Sequence, residues 1–507
     1  MLSLFNTFNI ILNFAAKYKN KIILAVLAFN IVGLLYFYPE IFLYQASSFN
    51  IPVVKILQNS GVDMNSLVNK NFTPKVGKKC NHSFLTKNPL AVALFKNDAQ
   101  TFISLYEQGL DIDAIMPCNR QASARGILIS KIIAGDIKLQ DLEKSAKLHQ
   151  EISDTYAKII DQSSINAIYA PNLKYPKEPL ENQIITDGYN TGIEQYGDGY
   201  LVAYRSDVIE TSSRYNHRHT HNTNKILRDY YQNNYRTNVI SYFPTLQLQQ
   251  LDQNFQKYGK IYDLTAEFER HNIIHSAEDP RLFRYHNQLY MLFNMDNIGG
   301  NRSMYLAEIT NQNSGPTITR YLRLPSPFGS KVEKNWSPII HNNKLYFVYS
   351  YEPNLVLIEP NIKTGSSKVI TKMPNKINSG YGQVRGGTQF VPIGDNSYLS
   401  IAHTSIEIKN TLSGKKRAVK LVYFAYPVII KFNDKGEARF VDDINRNPIF
   451  AHTIPYNQTI EKDVFFPSGL VVSGENLVIT SGVSDQHSSL IVVNKEKFLK
   501  QIGYIKS

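Results

Sequence analysis

The stretch Ser276-Ala-Glu-Asp-Pro-Arg-Leu-Phe283, followed directly by YHNQLYMLFN, decides the fold that this sequence predicts. Its later part is rich in Tyr, Leu and Phe, which favour strands, and the HNQ between its two apolar runs suits a hairpin turn. Its first part is a polar head with two acids, a proline and an arginine. The pattern indicates a β unit that carries charged groups at the start of its first strand.

The same plan of polar head, turn and aromatic-rich strand occurs five times, with heads roughly 50 to 90 residues apart. Each interval has room for a four-stranded sheet, so the repetition predicts a mainly β fold, a five-bladed β-propeller. A two-sheet sandwich is the alternative, but it does not explain why polar heads recur at one place. The five units begin at Tyr189, Glu278, Asn335, Arg385 and Phe466.

Equivalent heads should converge on one funnel, because the innermost strand of each propeller blade lines the axis. Carboxylates there can transfer protons, and cations can hold an anionic group. This combination is what glycosyl transfer involving phosphate needs. The charged residues expected in the funnel are Arg205, Glu278, Asp279, Arg281, Lys334, Glu352, Arg385, His403, Asp463 and Asp485.

Three motifs resemble a known family: the EDPR head, the EKNW segment (Glu333 to Trp336) and a late Gly-x-x-Asp (Gly482 to Asp485). They are similar to motifs of the five-bladed β-propeller β-mannoside phosphorylases, whose superfamily also contains hydrolases and β-1,2-mannosyltransferases. The resemblance covers about residues 187–493. It implies an inverting reaction on a glycan or sugar-phosphate substrate.

The resemblance also implies roles for single residues. Asp279 would be the general acid, and Arg205 and Lys334 would bind phosphate. Two adjacent carboxylates, Glu278 and Asp279, are expected to raise the pKa of one of them, as a general acid requires. A purely structural role is the alternative, since Asp before Pro often caps a turn. The other expected substrate-binding residues are Glu278, Arg281, Glu352, Arg385, His403 and Asp485.

One departure from the family changes the expected reaction. Family members carry a further phosphate-binding arginine in a His-Arg-Pro context, where this chain reads Ser350-Tyr351-Glu352-Pro353. The change favours a transferase, whose donor brings its own phosphate, or a hydrolase over a phosphorylase. Glu352 would then contact a sugar hydroxyl. A non-catalytic glycan-binding or protein-binding propeller is the alternative from a different class.

Length and charge set further bounds. A chain of 507 residues allows two or three domains. The net charge is 55 − 42 = +13 with a pI near 9.3, which suits phosphates, nucleotide-linked sugars or an acidic membrane surface. Without a long Lys/Arg run or an aromatic-basic motif, nucleic acid is not an expected partner. No cofactor is expected.

An apolar segment near the N-terminus predicts a membrane anchor. Residues 22–38 hold 17 residues without a charge, and the apolar stretch continues to Tyr44, which is long enough to span a bilayer. Lysines precede it, so residues 1–21 should be cytoplasmic or interfacial and the bulk of the chain exoplasmic, in periplasm or secretory lumen. A cleaved signal peptide is the alternative to a signal anchor over 22–44.

Residues 45–168 have helical periodicity. Asn88 to Ala114 looks like an ankyrin repeat and Val53 to Ser66 like half of one, which would offer a surface to a protein partner. A small helical domain is the alternative, because one and a half repeats cannot form a stable solenoid. A connecting helix is expected over Leu139 to Gln162, a proline-rich linker over 169–186 and the propeller over 187–507.

The sequence predicts no metal site. The Asp111-Ile-Asp113 pair could hold a metal, but its place in a turn between helices favours a structural role. His217-Arg218-His219-Thr220-His221 would put three imidazoles on one strand face, yet it lies in a polar insertion better suited to covering the pocket. Cys80 and Cys118 are either one disulfide or two separate thiols.

Overall fold

The computed structural model describes the helical region from residue 88 and the β region from residue 188. The predicted anchor 22–44, the earlier ankyrin half-match, the linker and both cysteines lie outside the described residues. No helix of the described part is long and apolar enough to cross a membrane. The described residues are 88–116, 122–160, 188–211, 219–221, 239–264, 277–297, 301–312, 315–374, 377, 379–409, 419–442, 444, 447–451, 465–483 and 487–505.

The helical unit owes its helix starts to side-chain caps. Asn88, Asp98 and Ser123 each accept a hydrogen bond from the backbone of the first turn that follows. Leu94 and Phe102 are fully buried between the helices. The elements are α1 (Pro89–Phe95), α2 (Ala99–Glu107), the short strands β1 (Ile115–Met116) and β2 (Ala122–Ser123), α3 (Ala124–Ile133), a 3₁₀ helix (Leu139–Leu142) and α4 (Ala146–Ile160).

Two expectations for this unit change. Helices α1 and α2 form where an ankyrin repeat was expected, but a single helix pair followed by the β1–β2 ribbon does not establish that repeat. The connecting helix expected over Leu139 to Gln162 is found in two parts, because residues 143–145 separate the 3₁₀ helix from α4.

The Asp111–Asp113 pair forms a turn, as expected. The side-chain Oδ1 of Asp111 accepts a hydrogen bond from the backbone N of Asp113 at 2.8 Å. Asp113 in turn pairs with Arg125 on α3, with a shortest N–O distance of 2.6 Å. Both acids therefore have structural partners.

Five antiparallel sheets follow in chain order and confirm the predicted five-bladed β-propeller. Each predicted head-and-hairpin unit provides the first two strands of one sheet. Blade 1 is β3 (Tyr189–Tyr196), β4 (Gly199–Thr211), β6 (Val239–Leu251) and β7 (Lys257–Asp263), with β5 (His219–His221) beside β4; blade 2 is β8 (Ala277–Tyr285), β9 (Gln288–Asn297), β10 (Asn301–Gln312) and β11 (Gly315–Leu324).

The other three blades follow the same order from inside to outside. Blade 3 is β12 (Ser337–His341), β13 (Lys344–Ser350), β14 (Asn354–Pro360) and β15 (Ser367–Pro374); blade 4 is β16 (Val391–Gly394), β17 (Ser397–Lys409), β18 (Val419–Phe432) and β19 (Ala438–Phe440), with β20 (Phe450–Ala451) also beside β18; blade 5 has the described strands β21 (Phe465–Ser473), β22 (Asn476–Val483) and β23 (His487–Asn494), followed by α5 (Lys495–Gln501).

The first strands of the blades surround a common axis. Strand β3 contacts β8 and β21, β8 also contacts β12, and β16 contacts β21. Glycines permit this approach: a Cβ at Gly192 would lie 2.7 Å from the carbonyl O of Pro280, and one at Gly469 would lie 2.6 Å from the backbone N of Ile193. The backbones of neighbouring blades therefore meet directly at the axis.

Apolar side chains fill the space between neighbouring blades. Five clusters of buried residues are described, one at each blade junction, including that between blade 5 and blade 1. Trp336 and Phe283, both about fully buried, join blades 2 and 3. At the closing junction Ser488 Oγ also donates to the carbonyl O of Gly188 at 2.8 Å. The ring is thus closed by the same kind of packing all round.

Candidate active site

A bulge at the start of the inner strands shapes the site. Asp279 has a left-handed backbone with φ of 55°, and Asn190 and Asn335 at the same place in blades 1 and 3 have φ of 54° and 62°. Asn and Asp tolerate this conformation better than other residues with a side chain. In blade 2 the pairing register shifts between Glu278 and Arg281. A bulge of this kind redirects side chains, here those of two consecutive acids.

Glu278 is the centre of an ion-pair cluster. Its Oε1 lies 3.1 Å from Arg205 Nη2, and its Oε2 lies 2.8 Å from Arg302 Nη1 and 3.3 Å from Lys334 Nζ. The three cations come from β4, β10 and the segment before β12. Glu278 is 8% exposed. Its carboxylate is therefore nearly buried and is paired with cations from three blades.

Asp279 lies beside this cluster with its own partners. Asn190 Nδ2 donates to Asp279 Oδ1 at 2.8 Å, and Arg205 Nη1 lies 3.9 Å from the same oxygen. The residue is 7% exposed. Both partners of its carboxylate therefore come from blade 1.

The positive charges around Asp279 affect its pKa more strongly than its burial does. Burial alone would raise its pKa, but the positive charges of Arg205, Arg281 and Lys334 lower it. The hydrogen bond from Asn190 acts in the same direction, and the pKa of Asp279 lies below its ordinary value. A raised pKa was expected for one of the two adjacent acids. For Asp279 that expectation is wrong, because three nearby cations lower its pKa. Asp279 is ionised at neutral pH.

Arg281 is fully buried on the axis and joins four blades. Its Nη1 donates to the carbonyl O of Asp279 at 2.9 Å, and its Nε donates to the carbonyl O of Gly387 in blade 4. Its Nη2 lies 3.5 Å from Asn335 Oδ1 in blade 3, and its guanidinium lies 5.9 Å from the ring centre of Phe466 in blade 5. Burial lowers the pKa of Arg281, and the charge of Asp279 opposes that shift. Arg281 therefore stabilises the site by joining the blades around it.

The cluster as a whole is positive. Arg205, Arg281, Arg302 and Lys334 give four positive charges and Glu278 with Asp279 two negative ones, so the net charge is 4 − 2 = +2. The side chain of Lys334 is 39% exposed, so the cluster can be reached from solvent. A buried carboxylate beside arginine and lysine side chains can accept or donate a proton while those cations bind an anionic group next to it.

Glu352 is not part of this cluster. Its Oε2 accepts a hydrogen bond from the backbone N of Val384 at 3.2 Å, and its Oε1 has no hydrogen-bond partner among the described residues. Burial raises the pKa of Glu352 to about 8, although the bond from Val384 lowers it. The side chain is protonated at neutral pH, so the sugar contact expected of Glu352 would come from a neutral acid.

The raised pKa of Glu352 predicts a pH-dependent stability. The unfolded chain ionises near the ordinary carboxyl value, whereas the folded chain keeps the proton to about pH 8. The contribution of Glu352 to the free energy of unfolding should then be largest below about pH 4.3 and fall by about 1.4 kcal/mol per pH unit up to about pH 8. Glu352→Gln should remove this slope. Urea unfolding of both proteins at several pH values measures it, and equal slopes would contradict the assignment.

Arg385 and His403 pair with each other. Each backbone N donates to the other's carbonyl O at 2.9 Å, and Arg385 Nη2 donates to Ser405 Oγ at 2.6 Å. The pairing of blade 4 thus continues beyond β16, so that Arg385 and His403 lie directly opposite each other. His403 is buried against the ring of Phe466.

The remaining predicted residues fall outside what can be described. Asp463, Asp485, His217 and Arg218 are not among the described residues, and for His219–His221 the backbone pairing with β4 is described. Among the described residues no group of three or more His, Cys, Asp or Glu side chains could hold a metal ion.

Sequence reasoning missed three polar residues of the site: Asn190, Asn294 and Arg302. The amide of Asn294 is fully buried, donates to the carbonyl O of Glu278 at 3.1 Å and accepts from Arg302. Asn190 had a signal, because it occupies in the first head the place that Asp279 occupies in the second. Arg302 had a weaker sequence signal: it lies at the start of β10, directly after the turn that joins β9 to β10 near the funnel.

No family model and no curated protein matches the chain, but solved structures do. A β-1,2-mannobiose phosphorylase from Listeria innocua is 13% identical with a TM-score of 0.40, covering 67% of this chain and 97% of that one. A glycosyl hydrolase from Bacteroides ovatus is 13% identical with a TM-score of 0.36, covering 61% and 84%. A GDP-Man-dependent mannosyltransferase from Leishmania mexicana is 12% identical with a TM-score of 0.33, covering 61% and 85%. At these values the likeness assigns no activity to this chain.

Proposed function

We propose that the chain is a carbohydrate-active enzyme that transfers a glycosyl group, β-mannosyl by its sequence resemblance, from a phosphate-bearing donor to a hydroxyl of a glycan acceptor. The observation that carries the proposal is the cluster of net charge +2 around Glu278 and the ionised Asp279. Such a cluster attracts an anionic group and holds a proton acceptor beside it. Residues 22–44 would anchor the enzyme in a membrane.

The proposed step is a single inverting displacement. The acceptor oxygen attacks the anomeric carbon and forms the new C–O bond, while its proton passes to Asp279. The bond between the anomeric carbon and the phosphate oxygen breaks, and the phosphate leaves with the electron pair. Arg205 and Lys334, which now share Glu278, would hold the growing negative charge of the phosphate. Arg302 keeps Glu278 paired when the phosphate draws the other two cations away.

The ionised state of Asp279 suits a base in the transfer direction. A base must start ionised, and the surrounding cations keep Asp279 so at neutral pH. Phosphorolysis is the same step in reverse and needs Asp279 to carry a proton first. The free enzyme is therefore in the protonation state from which transfer starts, and we propose transfer before phosphorolysis or hydrolysis as the reaction to test first. A propeller that binds glycans without turnover is the alternative from another class.

Comparison of three reactions on the full chain tests the proposal. The protein is supplied with a nucleotide-linked mannose and an oligosaccharide acceptor, with mannose 1-phosphate and the same acceptor, or with a β-mannoside in water. Products are separated by mass. We expect a longer oligosaccharide with the nucleotide-linked or phosphorylated donor. Release of mannose in water alone would make the protein a hydrolase, and no product in any arm would contradict the proposal.

Lys334→Ala is expected to raise KM for the phosphate-bearing donor about tenfold and to leave KM for the acceptor within about twofold. One charge-assisted hydrogen bond to phosphate contributes on the order of 1.4 kcal/mol, which corresponds to a factor of ten. Lys331→Ala is the matched control, since that side chain is exposed on the same segment and has no ion pair among the described residues. Steady-state kinetics with each substrate varied measure both constants. Equal KM changes for donor and acceptor would argue against a phosphate contact.

A further inference from the structure

A second cleft lies between blades 1 and 2, at the other end of the strands from Asp279. Strand β8 begins at the acidic head and ends at Tyr285, six residues beyond Asp279, so the two ends are roughly 20 Å apart. The cleft has a volume of about 470 Å³, within the range of small-molecule sites. Six of the residues that line it are Tyr196, Gln250, Tyr258, Arg284, Asn287 and Thr310.

Two hydroxyls in the wall of this cleft lack partners. Tyr196 Oη and Thr310 Oγ1 are shielded from water and have no hydrogen-bond partner among the described residues. A buried hydroxyl without a partner costs about 1–3 kcal/mol. They come from blade 1 and blade 2 respectively, and both residues line the cleft, so a ligand seated there would lie next to two side chains that lack a hydrogen bond among the described residues. Burial also raises the pKa of Tyr196, which keeps its phenol protonated as a donor.

The lining excludes several ligand classes. Among the described residues that line the cleft there is no Asp, Glu, His or Cys, so a metal ion has no suitable ligands. Among the described lining residues Arg284 is the one that carries a positive charge, and its guanidinium already donates to the carbonyl O of Gln195 at 2.8 Å and of Asn287 at 3.1 Å. The cleft therefore offers little to bind an anion. An apolar ligand would leave the two hydroxyls without partners.

The lining suits a neutral, polyhydroxylated ligand. Tyr258 is 45% exposed and offers an aromatic face that the apolar side of a sugar ring can cover. The side-chain amides of Gln250 and Asn287 have no hydrogen bond among the described residues, and each amide can donate to one hydroxyl and accept from another. We propose that this cleft is a non-catalytic binding site for a neutral saccharide chain, separate from the site at Asp279.

Methyl signals of the full chain can report on this cleft alone. The protein carries Asp279→Asn, which is expected to slow turnover about a thousandfold, and a methyl label on isoleucine, because Ile309 lines the cleft. The probe is a set of neutral manno-oligosaccharides of about four to six residues. We expect the Ile309 signal to shift on titration, whereas inorganic phosphate, a probe for the cluster at Glu278, should leave it unchanged.

Two substitutions on β7 make the test specific. Tyr258→Ala should weaken the affinity read at Ile309 at least about tenfold. Ile261→Ala, an exposed apolar residue on the same strand that does not line the cleft, should change it less than about twofold. No shift at Ile309 up to millimolar saccharide, or equal affinity of the two variants, overturns the proposal. Failure of the proposed transferase activity would instead appear in the turnover assays and leave this binding result unchanged.

Discussion

Asp279→Asn is expected to lower kcat by about a thousandfold while the protein stays folded. A positioned proton acceptor contributes about 10²–10⁴ to a rate, and asparagine cannot take the acceptor's proton. Asparagine nearly matches aspartate in shape and tolerates the left-handed backbone of this position, where φ is 55°. It can also keep an oxygen toward Asn190 Nδ2. The loss of rate should therefore report the missing carboxylate, not a displaced strand.

Asp395→Asn is the matched control for this experiment. Asp395 is an exposed aspartate with φ of 50° in the β16–β17 turn, so the same chemical change occurs in the same backbone conformation away from the cluster. We expect its kcat to equal that of the unchanged protein. Product formation from donor and acceptor gives both rates, and thermal unfolding checks the fold. An Asp279→Asn protein with unchanged kcat would remove Asp279 from the mechanism.

The pH profile separates a base from an acid at this position. Because cations hold the pKa of Asp279 below its ordinary value, a base here loses activity only as the pH falls below about 3.9. The acid limb of kcat/KM should therefore be absent between about pH 5 and 7. An acid with a raised pKa would instead lose activity as the pH rises through neutrality. Observation of that opposite limb would favour phosphorolysis or hydrolysis over transfer.

Much of the fold could be predicted, because it depends on local patterns that repeat. The hairpin turns are clear in the sequence: His286 and Asn287 both have positive φ, as the two central residues of such a turn require. The convergence of Arg205, Glu278, Asp279 and Lys334 also follows from repetition, since equivalent heads in a closed ring must meet. These predictions needed strand order and blade number, but no exact side-chain positions.

The rest of the site depends on packing that no short motif encodes. Arg281 has acceptors in blade 4 more than a hundred residues away, so its role as a buried support could not be distinguished from that of a substrate ligand. The protonation of Asp279 depends on the sum of burial and several charges, and counting adjacent acids gave the wrong sign. Glu352 and His403 were expected to bind substrate in the funnel, and that stays a prediction, because their described contacts are a bond from the backbone of Val384 and a pairing with Arg385.

Arg281→Met is expected to lower the free energy of unfolding by about 3–5 kcal/mol, the cost typical of breaking a buried charged network from one side. Methionine fills most of the space of the arginine stem but donates no hydrogen bond. The carbonyl oxygens of Asp279 and Gly387 would lose their charged donor, and the buried carboxylate of Asp279 would lose one of its cations. Three blades would also lose a common contact at the axis. The loss therefore exceeds that of one ordinary hydrogen bond.

Urea unfolding of Arg281→Met beside Arg284→Met measures this effect on one strand. Arg284 lies three residues further along β8, where it is exposed and donates to two carbonyl oxygens that water can replace as partners. Its substitution should cost about 1 kcal/mol or less. Equal stabilities of the two variants would show that Arg281 is not a structural centre. With the expected difference, the two roles in the EDPR head separate: Asp279 can be neutralised without unfolding the ring, whereas Arg281 holds the blades that bring Arg205 and Lys334 to it.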